Sequence, residues 1–558
     1  MQSSVPNPSA VQATFAATLF DEWYRHGLRE VVVCPGSRST PLAIGAAGHG
    51  GLAVHVRVDE RSAGFFAIGR ALATSSPVAI VVTSGTAAAE LHAAVAEADL
   101  AGVALLVVTA DRPSELHGVG APQTIEQRDL YQSAVRRFEE PGVARLEASS
   151  SWRPLASRCW WAAVGIDGSG GPVHVNAAFV EPLVADPLQL PGGRVDGEPW
   201  RRDEPRRVFT GEIDVRGRRV LAVVGRGVAR ETVTSMNDCG WAVVGDATVT
   251  STIAHYDGLL RDPSFAGAAR PDVVVRLGGL PASKVLGEQL RRWRIPAVAW
   301  RGCGSLSDPD GAIGVTYPGL PDFAERRLHA DSAYREFWVN ASTAVEEWLE
   351  ERESLDGPLS EPDVARAVVA ASSEHAVALV VGSSMPVRDV EWWAPTRTSP
   401  TFANRGANGI DGVVSTVMGV GAGGSVIGLV GDVTFLHDVS GLVDGLGAGG
   451  GRCVLVVVDN NGGGIFSFLS QATALSAPDF ELLFGTPRQH DLEAVARAFG
   501  HQAVSVSTRA ALRTEIDAGL LREGVTVVVA RVPDRTTNVT IHDEYVASVV
   551  GAWRSTPS

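Results

Sequence analysis

Short apolar runs alternate with amphipathic stretches along the chain, and glycine or polar turns separate them. Apolar runs of roughly four to eight residues between turns are typical of strands that are buried in a parallel sheet. Apolar residues at helical spacing from Val11 to Trp23 predict an N-terminal helix that ends at Gly27. The hydrophobic pattern therefore predicts an α/β fold with mostly parallel sheets that are flanked by helices.

The predicted strands form three groups along the chain. Two stretches rich in proline, glycine and charge, 186–206 and 353–362, separate the groups and are expected to be linkers. The sequence therefore predicts three domains, at 1–187, 207–350 and 358–558. The predicted strands are 30–34, 52–58, 79–83 and 104–109 in the first group, 220–224, 242–244, 273–277 and 297–300 in the second, and 377–381, 426–430 and 453–458 in the third.

The clearest local unit lies between residues 426 and 466. A strand over 426–430 ends at a Gly-Asp turn, a helix is predicted over 434–446, and a strand over 453–458 ends at Asp-Asn-Asn. A strand–helix–strand unit of this length forms a right-handed crossover between parallel strands. Both polar turns should therefore lie at the carboxyl edge of one sheet, where open α/β sheets bind ligands.

The polar residues at that edge predict a metal–phosphate site. Asp432 offers a carboxylate, Asn461 an amide oxygen, and the glycines at 462–464 an exposed backbone carbonyl. Oxygen ligands of this kind suit Mg²⁺, which keeps its other positions for phosphate oxygens and water. The glycines allow the backbone to approach a bulky anion closely. The alternative is an ordinary buried strand–helix–strand unit with turn residues at its strand ends.

The N-terminal third contains a second candidate anion site. The strand over 30–34 runs into Pro35-Gly36, and Ser37 and Arg38 follow where a helix begins. Such a turn presents backbone N–H groups together with a cation. A capped helix start whose Arg38 faces solvent remains the alternative.

Two further stretches of this third carry polar residues at strand ends. Glu60 follows the strand over 52–58 and begins a helix. A favourable interaction with the helix dipole is enough to explain a glutamate at this position when it is considered by itself. Arg112 follows the strand over 104–109 and precedes a glycine-containing loop. Gln123, Glu126 and Gln127 in that loop are too polar for a core position.

Composition and charge narrow the class of protein. The 558 residues have a net charge of −15, which argues against a general nucleic-acid or membrane-surface binder. No apolar run approaches the roughly eighteen residues that span a bilayer. The five cysteines, including Cys303, are scattered without a CxxC pair, so a cytoplasmic protein without disulfides is expected. Lys284 is the only lysine, and it is either a chance surface residue or one with a role that arginine cannot fill.

The complete set of motifs resembles a known family. With Glu60 and the Gly-Asp and Asn-Asn turns, the chain resembles the thiamine-diphosphate-dependent decarboxylase-like enzymes. Four strings in order, CPGSRSTPL, ADRPSELHGVGAPQTIEQ, NRGANGIDG and DNNGGGIF, are similar within that class to the 2-succinyl-5-enolpyruvyl-6-hydroxy-3-cyclohexene-1-carboxylate synthase family. The resemblance covers essentially the whole chain. It implies a pyrimidine-binding first domain, a Rossmann-like middle domain and a diphosphate-binding last domain.

The resemblance also implies a role for individual residues. Glu60 is implied as the catalytic residue that hydrogen-bonds the pyrimidine ring of thiamine diphosphate. Ile410 is implied to prop the cofactor in a bent form. The implied ligands of Mg²⁺, with Mn²⁺ as a substitute, are Asp432, Asn461 and the carbonyl of Gly463. The implied cofactor-binding residues are Glu60, Ile410, Gly431, Asp432, Asn461, Gly463, Ile465 and Phe466, and the implied substrate-binding residues are Ser37, Arg38, Arg112, Gln123, Lys284, Ser384, Arg388 and Arg405.

The reaction implied by the family belongs to menaquinone biosynthesis. 2-Oxoglutarate is decarboxylated, and the resulting succinyl carbanion adds 1,4 to isochorismate, which gives the cyclohexene carboxylate product and CO₂. A homodimer or homotetramer with the active site between subunits is implied. Other thiamine-diphosphate-dependent enzymes, such as a 2-oxoacid decarboxylase or an acetohydroxyacid synthase, remain alternatives, as does a cofactor-binding protein that has lost catalysis. A nicotinamide-dependent oxidoreductase is an alternative of another class, supported only by an incomplete glycine motif at 225–230.

Overall fold

A computed structural model describes residues 7–165, 170–202, 213–300, 307–354 and 357–555. Cys303, the predicted domain boundary at 207 and the last residues of the 186–206 linker lie outside the described residues. Two compact units make up the chain. Unit 1 comprises Met1–Arg206, Gly406–Ala422 and Asp438–Gly450, and unit 2 comprises Arg207–Arg405, Gly423–His437 and Gly451–Ser558.

Three sheets contain the strands. The strands are β1 (Glu30–Val33), β2 (Ala53–Val56), β3 (Val78–Val82), β4 (Leu105–Asp111), β5 (Arg137–Glu139), β6 (Val173–Ala178), β7 (Val220–Val224), β8 (Ala242–Gly245), β9 (Val273–Leu277), β10 (Ala297–Trp300), β11 (Ile313–Tyr317), β12 (Ala378–Val381), β13 (Thr401–Phe402), β14 (Ser425–Gly431), β15 (Arg452–Asp459), β16 (Gln502–Val506) and β17 (Gly524–Arg531).

Helices connect most consecutive strands. The α-helices are α1 (Pro8–His26), α2 (Thr40–Ala47), α3 (Glu60–Thr74), α4 (Thr86–Glu90), α5 (His92–Ala101), α6 (Trp152–Val164), α7 (Arg230–Asp238), α8 (Tyr256–Leu260), α9 (Pro263–Ala268), α10 (Lys284–Trp293), α11 (Ser332–Ser354), α12 (Glu361–Glu374), α13 (Met385–Trp393), α14 (Val413–Gly421), α15 (Asp432–His437), α16 (Gln471–Ala474), α17 (Ala477–Phe480), α18 (Leu492–Ala498), α19 (Arg509–Leu520) and α20 (Arg535–Arg554). Short 3-10 segments include Val439–Leu442 and Gly464–Phe468, and Glu481–Gly485 is a π-helical turn.

All three sheets are parallel, which confirms the predicted fold class. The sheet of unit 1 has the strand order β2-β1-β3-β4-β6-β5. Unit 2 contains a sheet of order β11-β10-β9-β7-β8 and a sheet of order β13-β12-β14-β15-β17-β16. The bounds of the three predicted domains stay a prediction.

The core of unit 1 shows why the apolar runs become strands. Every residue of β3 and β4 is buried, because helices cover both faces of the sheet. Helix α1 packs Phe15, Leu19 and Trp23 into the same core, and it ends where Gly27 adopts a left-handed conformation with φ of 118°. The predicted N-terminal helix and its end at Gly27 are confirmed.

Helices α3 and α14 of unit 1 cross with their backbones in contact. A Cβ at Gly69 would lie 2.3 Å from the carbonyl oxygen of Thr416, and a Cβ at Gly419 would lie 2.3 Å from that of Phe66. Only glycine permits this approach on both helices. The crossing holds the helix that begins at Glu60 against the helix that follows the loop of Ile410.

The prediction of one continuous helix over 434–446 is wrong. Helix α15 ends at His437, and a 3-10 segment follows over Val439–Leu442. The cause is Asp438, whose buried carboxylate accepts hydrogen bonds from the backbone N–H of Ser415 at 2.7 Å and from its hydroxyl at 3.1 Å. These bonds hold Asp438 at φ of −119°, outside the helical region.

Several strands were not predicted, namely β5, β6, β11, β13, β16 and β17. The most important is β17, which pairs with β15 over its whole length, from Arg452 opposite Gly524 to Asp459 opposite Arg531. Strands β7, β9 and β10 have the predicted bounds. Within the described residues, no helix has the length and apolar character needed to cross a membrane.

Candidate active site

Glu60 lies at the start of α3, in a pocket of unit 1 with a volume of about 550 Å³. The Asp59 side chain caps the helix by accepting the N–H of Ser62 at 3.0 Å. Burial raises the pKa of Glu60, and the neighbouring carboxylates of Asp59 and Glu90 raise it further, although a backbone hydrogen bond opposes them. The pocket is lined by Pro35, Gly36, Ser37, Asp59, Glu60, Arg61, Thr83, Thr86, Ala87, Glu90 and Gln123.

A buried arginine fixes the chain that leads to Glu60. The guanidinium of Arg57 lies 3.7 Å from the ring centroid of Phe66 and donates to the carbonyl of Gly445 at 2.8 Å. The carboxylate of Asp444 accepts the N–H of Val58 at 3.0 Å. The segment Asp438–Gly450 therefore supports the backbone just before Glu60. None of these supporting residues was predicted, because their partners are nearly four hundred residues apart in sequence.

The predicted cations of unit 1 lie close together. Arg112 donates to the hydroxyl of Ser84 and, at 2.6 Å, to the carbonyl of Gln123, while the Gln123 amide donates to the carbonyl of Ser84 at 3.0 Å. Burial lowers the pKa of Arg112, and the positive charge of Arg38 lowers it further. Nearby carboxylates offset part of this effect, among them Glu181 at 3.4 Å from Arg38. Two neighbouring guanidinium groups also favour the binding of a further anion, which would relieve their repulsion.

Arg38 does not face solvent, which argues against the alternative of a merely capped helix start. Its side chain is 12% exposed, and it donates to the carbonyl of Phe179 at 3.0 Å. Among the described residues, its buried Nε has no hydrogen-bond acceptor. Helix α2 also lacks a side-chain cap at Ser39. Both features leave donors for an incoming anion.

Gln127 contradicts the expectation that it is too polar for the core. It is completely buried, and its amide donates to the carbonyl of Ala110 at 3.2 Å and to the side chain of Asn176 at 2.8 Å. Its oxygen accepts the N–H of Gly85 at 2.9 Å. With all of its bonds satisfied, a buried glutamine is tolerated. Gln127 thereby holds the Ser84-Gly85 turn, to which Arg112 and Gln123 donate hydrogen bonds.

The loop that contains Ile410 is held by a carboxylate of the first third of the chain. Glu97 is 3% exposed and accepts the backbone N–H groups of Gly406 at 2.7 Å and Ala407 at 2.6 Å. At the end of the loop, Gly412 has φ of 67°, and a Cβ there would lie 1.9 Å from the ring of Phe65. Ile410 itself is half-buried in unit 1.

The two turns that carry the predicted metal ligands lie at the carboxyl edge of the third sheet, in unit 2. Strands β14 and β15 are parallel neighbours, with Gly431 opposite Val458, so the two polar turns lie side by side. The buried carboxylate of Asp432 accepts the N–H of Val433 and that of Gly462, each at 2.7 Å. Asn461 has a left-handed φ of 60°.

The residues of this edge fit Mg²⁺, because Asp432 offers a buried carboxylate and the side-chain oxygen of Asn461, which accepts the N–H of Arg488 at 3.0 Å, has a second lone pair for a metal. Burial raises the pKa of Asp432 to about 6 in spite of its two backbone hydrogen bonds, so a bound cation would remove an electrostatic cost. A Cβ at Gly462 would lie 2.1 Å from the carbonyl oxygen of Gly485, and one at Gly463 would lie 2.3 Å from that of Phe484. The glycines are therefore required by close backbone packing. Ile465 and Phe466 lie in the 3-10 segment that follows.

Sequence reasoning missed a second buried acid behind this loop. Glu361 is 2% exposed and accepts a hydrogen bond from the Asn460 amide at 2.7 Å. Burial raises its pKa to about 7, and the nearby Asp389 raises it too. Its position at the start of α12, after the capping residue Ser360, offered only a helix-start signal in the sequence.

Unit 2 brings two of its predicted substrate-binding arginines together. Burial lowers the pKa of Arg388, and the positive charge of Arg405 lowers it further. Arg388 donates to the carbonyl of Ser384 at 2.5 Å, and Ser384 has a left-handed φ of 75° just before α13. The buried Nε of Arg405 has no acceptor among the described residues. This is a second pair of cations that favours an anion.

Lys284 lies at the first position of α10, and its side chain is 87% exposed. Its ammonium lies 3.8 Å from Glu288, which is a weak surface contact.

The incomplete glycine motif at 225–230 has a packing explanation, because a Cβ at Gly225 would lie 2.0 Å from the carbonyl oxygen of Gly279. Backbone packing alone therefore requires glycine at position 225, and no bound dinucleotide is needed to explain it.

The candidate residues belong to the two units in separate sets. Those of unit 1 are Ser37, Arg38, Glu60, Arg112, Gln123 and Ile410, and those of unit 2 are Lys284, Ser384, Arg388, Arg405, Gly431, Asp432, Asn461, Gly463, Ile465 and Phe466. Among these candidates, unit 1 carries one acid and two arginines, and unit 2 carries the predicted metal–phosphate edge and its own cations.

Two family models match the chain. Residues 13–130 match the thiamine pyrophosphate enzyme N-terminal TPP binding domain, and residues 392–530 match the C-terminal TPP binding domain. The first range contains Glu60, and the second contains Asp432 and Asn461.

Similar proteins extend over nearly the whole chain. A protein of Thermobifida fusca (strain YX) is 38% identical over 98% of this chain and 100% of its own length. A protein of Myxococcus xanthus (strain DK1622) is 36% identical over 97% of this chain and 98% of its own length. A protein of Saccharopolyspora erythraea is 37% identical over 98% of this chain and 99% of its own length. Each is named 2-succinyl-5-enolpyruvyl-6-hydroxy-3-cyclohexene-1-carboxylate synthase.

Proposed function

Because this chain belongs to the 2-succinyl-5-enolpyruvyl-6-hydroxy-3-cyclohexene-1-carboxylate synthase family, we propose that it catalyses the reaction which that name denotes. It is a thiamine-diphosphate-dependent enzyme. In the proposed reaction, 2-oxoglutarate loses CO₂ and its remaining four-carbon unit adds 1,4 to isochorismate. The product is the cyclohexene carboxylate of menaquinone biosynthesis.

The observation that carries this choice of substrates is the occurrence of two pairs of arginines. Arg38 lies near Arg112 in unit 1, and Arg388 lies near Arg405 in unit 2. Both proposed substrates are dicarboxylic acids, and the planar guanidinium fork matches a carboxylate. A 2-oxoacid decarboxylase acting on mono-acids would leave these cations without a purpose. Ser37, Gln123, Lys284 and Ser384 would supply further donors.

Each remaining residue has a role that its surroundings support. Asp432, Asn461 and the carbonyl of Gly463 would hold Mg²⁺, or Mn²⁺ in its place, beside the diphosphate. Glu60 would hydrogen-bond the aminopyrimidine, and its raised pKa favours a carboxyl that can hold a proton there. Ile410 would support the bent cofactor by shape.

Bound thiamine diphosphate supplies the carbanion chemistry, and the protein supplies orientation and charge. Glu60 and Asp432 belong to different units of the chain. We propose a cytoplasmic homodimer or homotetramer with the active site between subunits. Domains of 1–187, 207–350 and 358–558 are part of the same proposal.

The experiment measures CO₂ release from 2-oxoglutarate and loss of isochorismate by the purified enzyme with thiamine diphosphate and Mg²⁺. Turnover that requires both substrates is expected, and equal or faster turnover of pyruvate would contradict the proposal. NAD(P) should not raise the Tm, whereas thiamine diphosphate with Mg²⁺ should.

A pair of variants tests Glu60. Glu60→Gln should bind the cofactor and lose turnover by about a hundredfold or more, since it cannot exchange a proton. Glu90→Gln is the comparison variant, because the exposed Glu90 lines the same pocket and its charge raises the pKa of Glu60. Its loss should shift the pH dependence of activity toward lower pH and leave the maximal turnover within about threefold of the wild type. Wild-type activity in Glu60→Gln would refute the assigned role.

A further inference from the structure

A buried carboxylate connects α10 and α13, two elements of unit 2 that carry candidate substrate-binding residues. Glu391 lies on α13, three residues after Arg388, and is 2% exposed. It accepts the hydroxyl of Tyr256 at 2.6 Å, the N–H of Ala282 at 2.9 Å and the N–H of Ser283 at 2.8 Å. Three donors satisfy a carboxylate that is otherwise costly to bury.

The accepted N–H groups belong to the turn that begins α10. Ser283 is the N-cap of this helix, with its hydroxyl accepting the N–H of Leu286 at 3.0 Å and donating to Asp257 at 2.5 Å. The next residue is Lys284. The backbone position of this helix start sets the region that the flexible Lys284 side chain can reach.

Glu391 also interacts with the cations of the predicted substrate site. Its negative charge opposes the lowering of the pKa of Arg388, and Arg405 in turn lowers the pKa of Glu391 itself. Burial is the largest effect on Glu391 and raises its pKa to about 7. Further charged groups near it are Arg397 and Asp246. The carboxylate thus interacts electrostatically with both arginines and is hydrogen-bonded to the start of α10.

We propose that Glu391 is a positioning residue that holds Lys284 and Arg388 in the arrangement that binds a substrate carboxylate. The inference rests on the proposed function, because that function gives these two cations a common ligand. Glu391 does not itself touch the substrate. It acts through the backbone of Ala282 and Ser283 and through its charge near Arg388.

Glu391→Gln tests the proposal with little change of volume. One side-chain oxygen accepts Ala282 N–H, while the other accepts Ser283 N–H and the Tyr256 hydroxyl. A glutamine must turn its NH₂ toward one of these backbone N–H groups, so the turn must shift. The KM for isochorismate or for the oxoacid substrate should rise about tenfold, with kcat changed far less. The affinity for thiamine diphosphate with Mg²⁺, measured by fluorescence titration, should stay unchanged.

The matched control is Glu346→Gln. Glu346 is another largely buried carboxylate of unit 2, hydrogen-bonded by His255 at 2.6 Å and Arg366 at 2.7 Å. Its loss should lower the Tm without changing either KM. If Glu391→Gln lowers the Tm and leaves both KM values unchanged, Glu391 is only structural and the proposal is overturned.

A double-mutant cycle shows whether Glu391 acts through Lys284. Lys284→Ala should raise the same KM, and adding Glu391→Gln to it should raise that KM by much less than in the wild-type background. Fully additive effects would overturn the proposal. The milder Ser283→Ala loosens the same turn and should raise the same KM severalfold, so it decides the matter if Glu391→Gln does not fold.

The proposed function is tested separately by wild-type turnover. An inactive or pyruvate-specific wild type would refute the proposed function. An active wild type with unchanged KM values in Glu391→Gln and Ser283→Ala would refute the positioning role alone.

Discussion

Gly69→Ala tests the backbone contact between α3 and α14, on which the placement of Glu60 depends. An alanine Cβ at this position would lie 2.3 Å from the carbonyl oxygen of Thr416 and 3.0 Å from the Cα of Gly419. All of these neighbours are backbone atoms, which cannot rotate away as a side chain could. The two helices must therefore separate by about 1 Å to restore an ordinary contact.

The magnitude follows from two opposing effects. Overpacking of a close contact costs about 1 to 3 kcal/mol, and rigid backbone on both helices favours the upper end. Alanine in place of glycine inside a helix stabilises it by about 1 kcal/mol. The net loss in the free energy of unfolding should be about 2 kcal/mol. For domains of this size, that corresponds to a decrease in Tm of roughly 4 to 8 °C.

The assay compares the thermal unfolding of Gly69→Ala with that of Gly287→Ala. Gly287 also lies inside a helix, but a Cβ there would meet nothing within 4 Å, so this control should gain about 0.5 to 1 kcal/mol. Gly69→Ala should also bind thiamine diphosphate more weakly, since α3 begins at Glu60. If Gly69→Ala were as stable as Gly287→Ala, the close crossing of the two helices would be refuted.

Two other carboxylates give further predictions. Glu97→Gln should lower the free energy of unfolding by about 1.5 to 3 kcal/mol, because one of its two bonds to Gly406 and Ala407 loses its acceptor. It should also weaken cofactor binding. Thermal shift and calorimetric titration measure the two effects, and an unchanged Tm would contradict the prediction. Burial raises the pKa of Glu346, but hydrogen bonds from His255 and Arg366 outweigh that effect and hold it at about 2, below its ordinary value of 4.5. A lowered pKa in the folded state stabilises the protein above pH 4.5, and this stabilisation is lost as the pH falls toward 2. The difference in Tm between wild type and Glu346→Gln should therefore shrink from pH 7 to pH 3. A difference in Tm that stays constant over this range would refute the prediction.

Local sequence patterns were sufficient for β14 and β15, the two strands that form the predicted metal–phosphate edge, but not for β13, β16 and β17 of the same sheet. The apolar runs around 426–430 and 453–458 are bounded by polar turns, and a crossover between parallel strands must bring those turns to one edge. The structure places Asp432 and Asn461 there. The helix over 434–446 failed because its end depends on Asp438, whose partner Ser415 lies on another element.

The supporting residues of the site were beyond sequence reasoning for a related cause. Glu391 stands in the stretch Val390-Glu391-Trp392-Trp393, and a lone acid among large apolar residues was the one signal that could have been followed. Its role depends on the N–H groups of Ala282 and Ser283, more than a hundred residues earlier. Gln127 was misjudged in the same way, since a polar side chain belongs in a core only when its partners are present.

The sequence by itself determined the α/β class, the edge that carries Asp432 and Asn461, and the family. Periodicity, turn chemistry and short motifs depend on neighbouring residues, so they can be recognised along the chain. Only the tertiary structure decided which acids are buried, which arginines lie in pairs, and where α15 ends. Each of these depends on the free energy of burying a charge, and that energy is set by hydrogen-bond donors and charges which folding brings from distant parts of the chain.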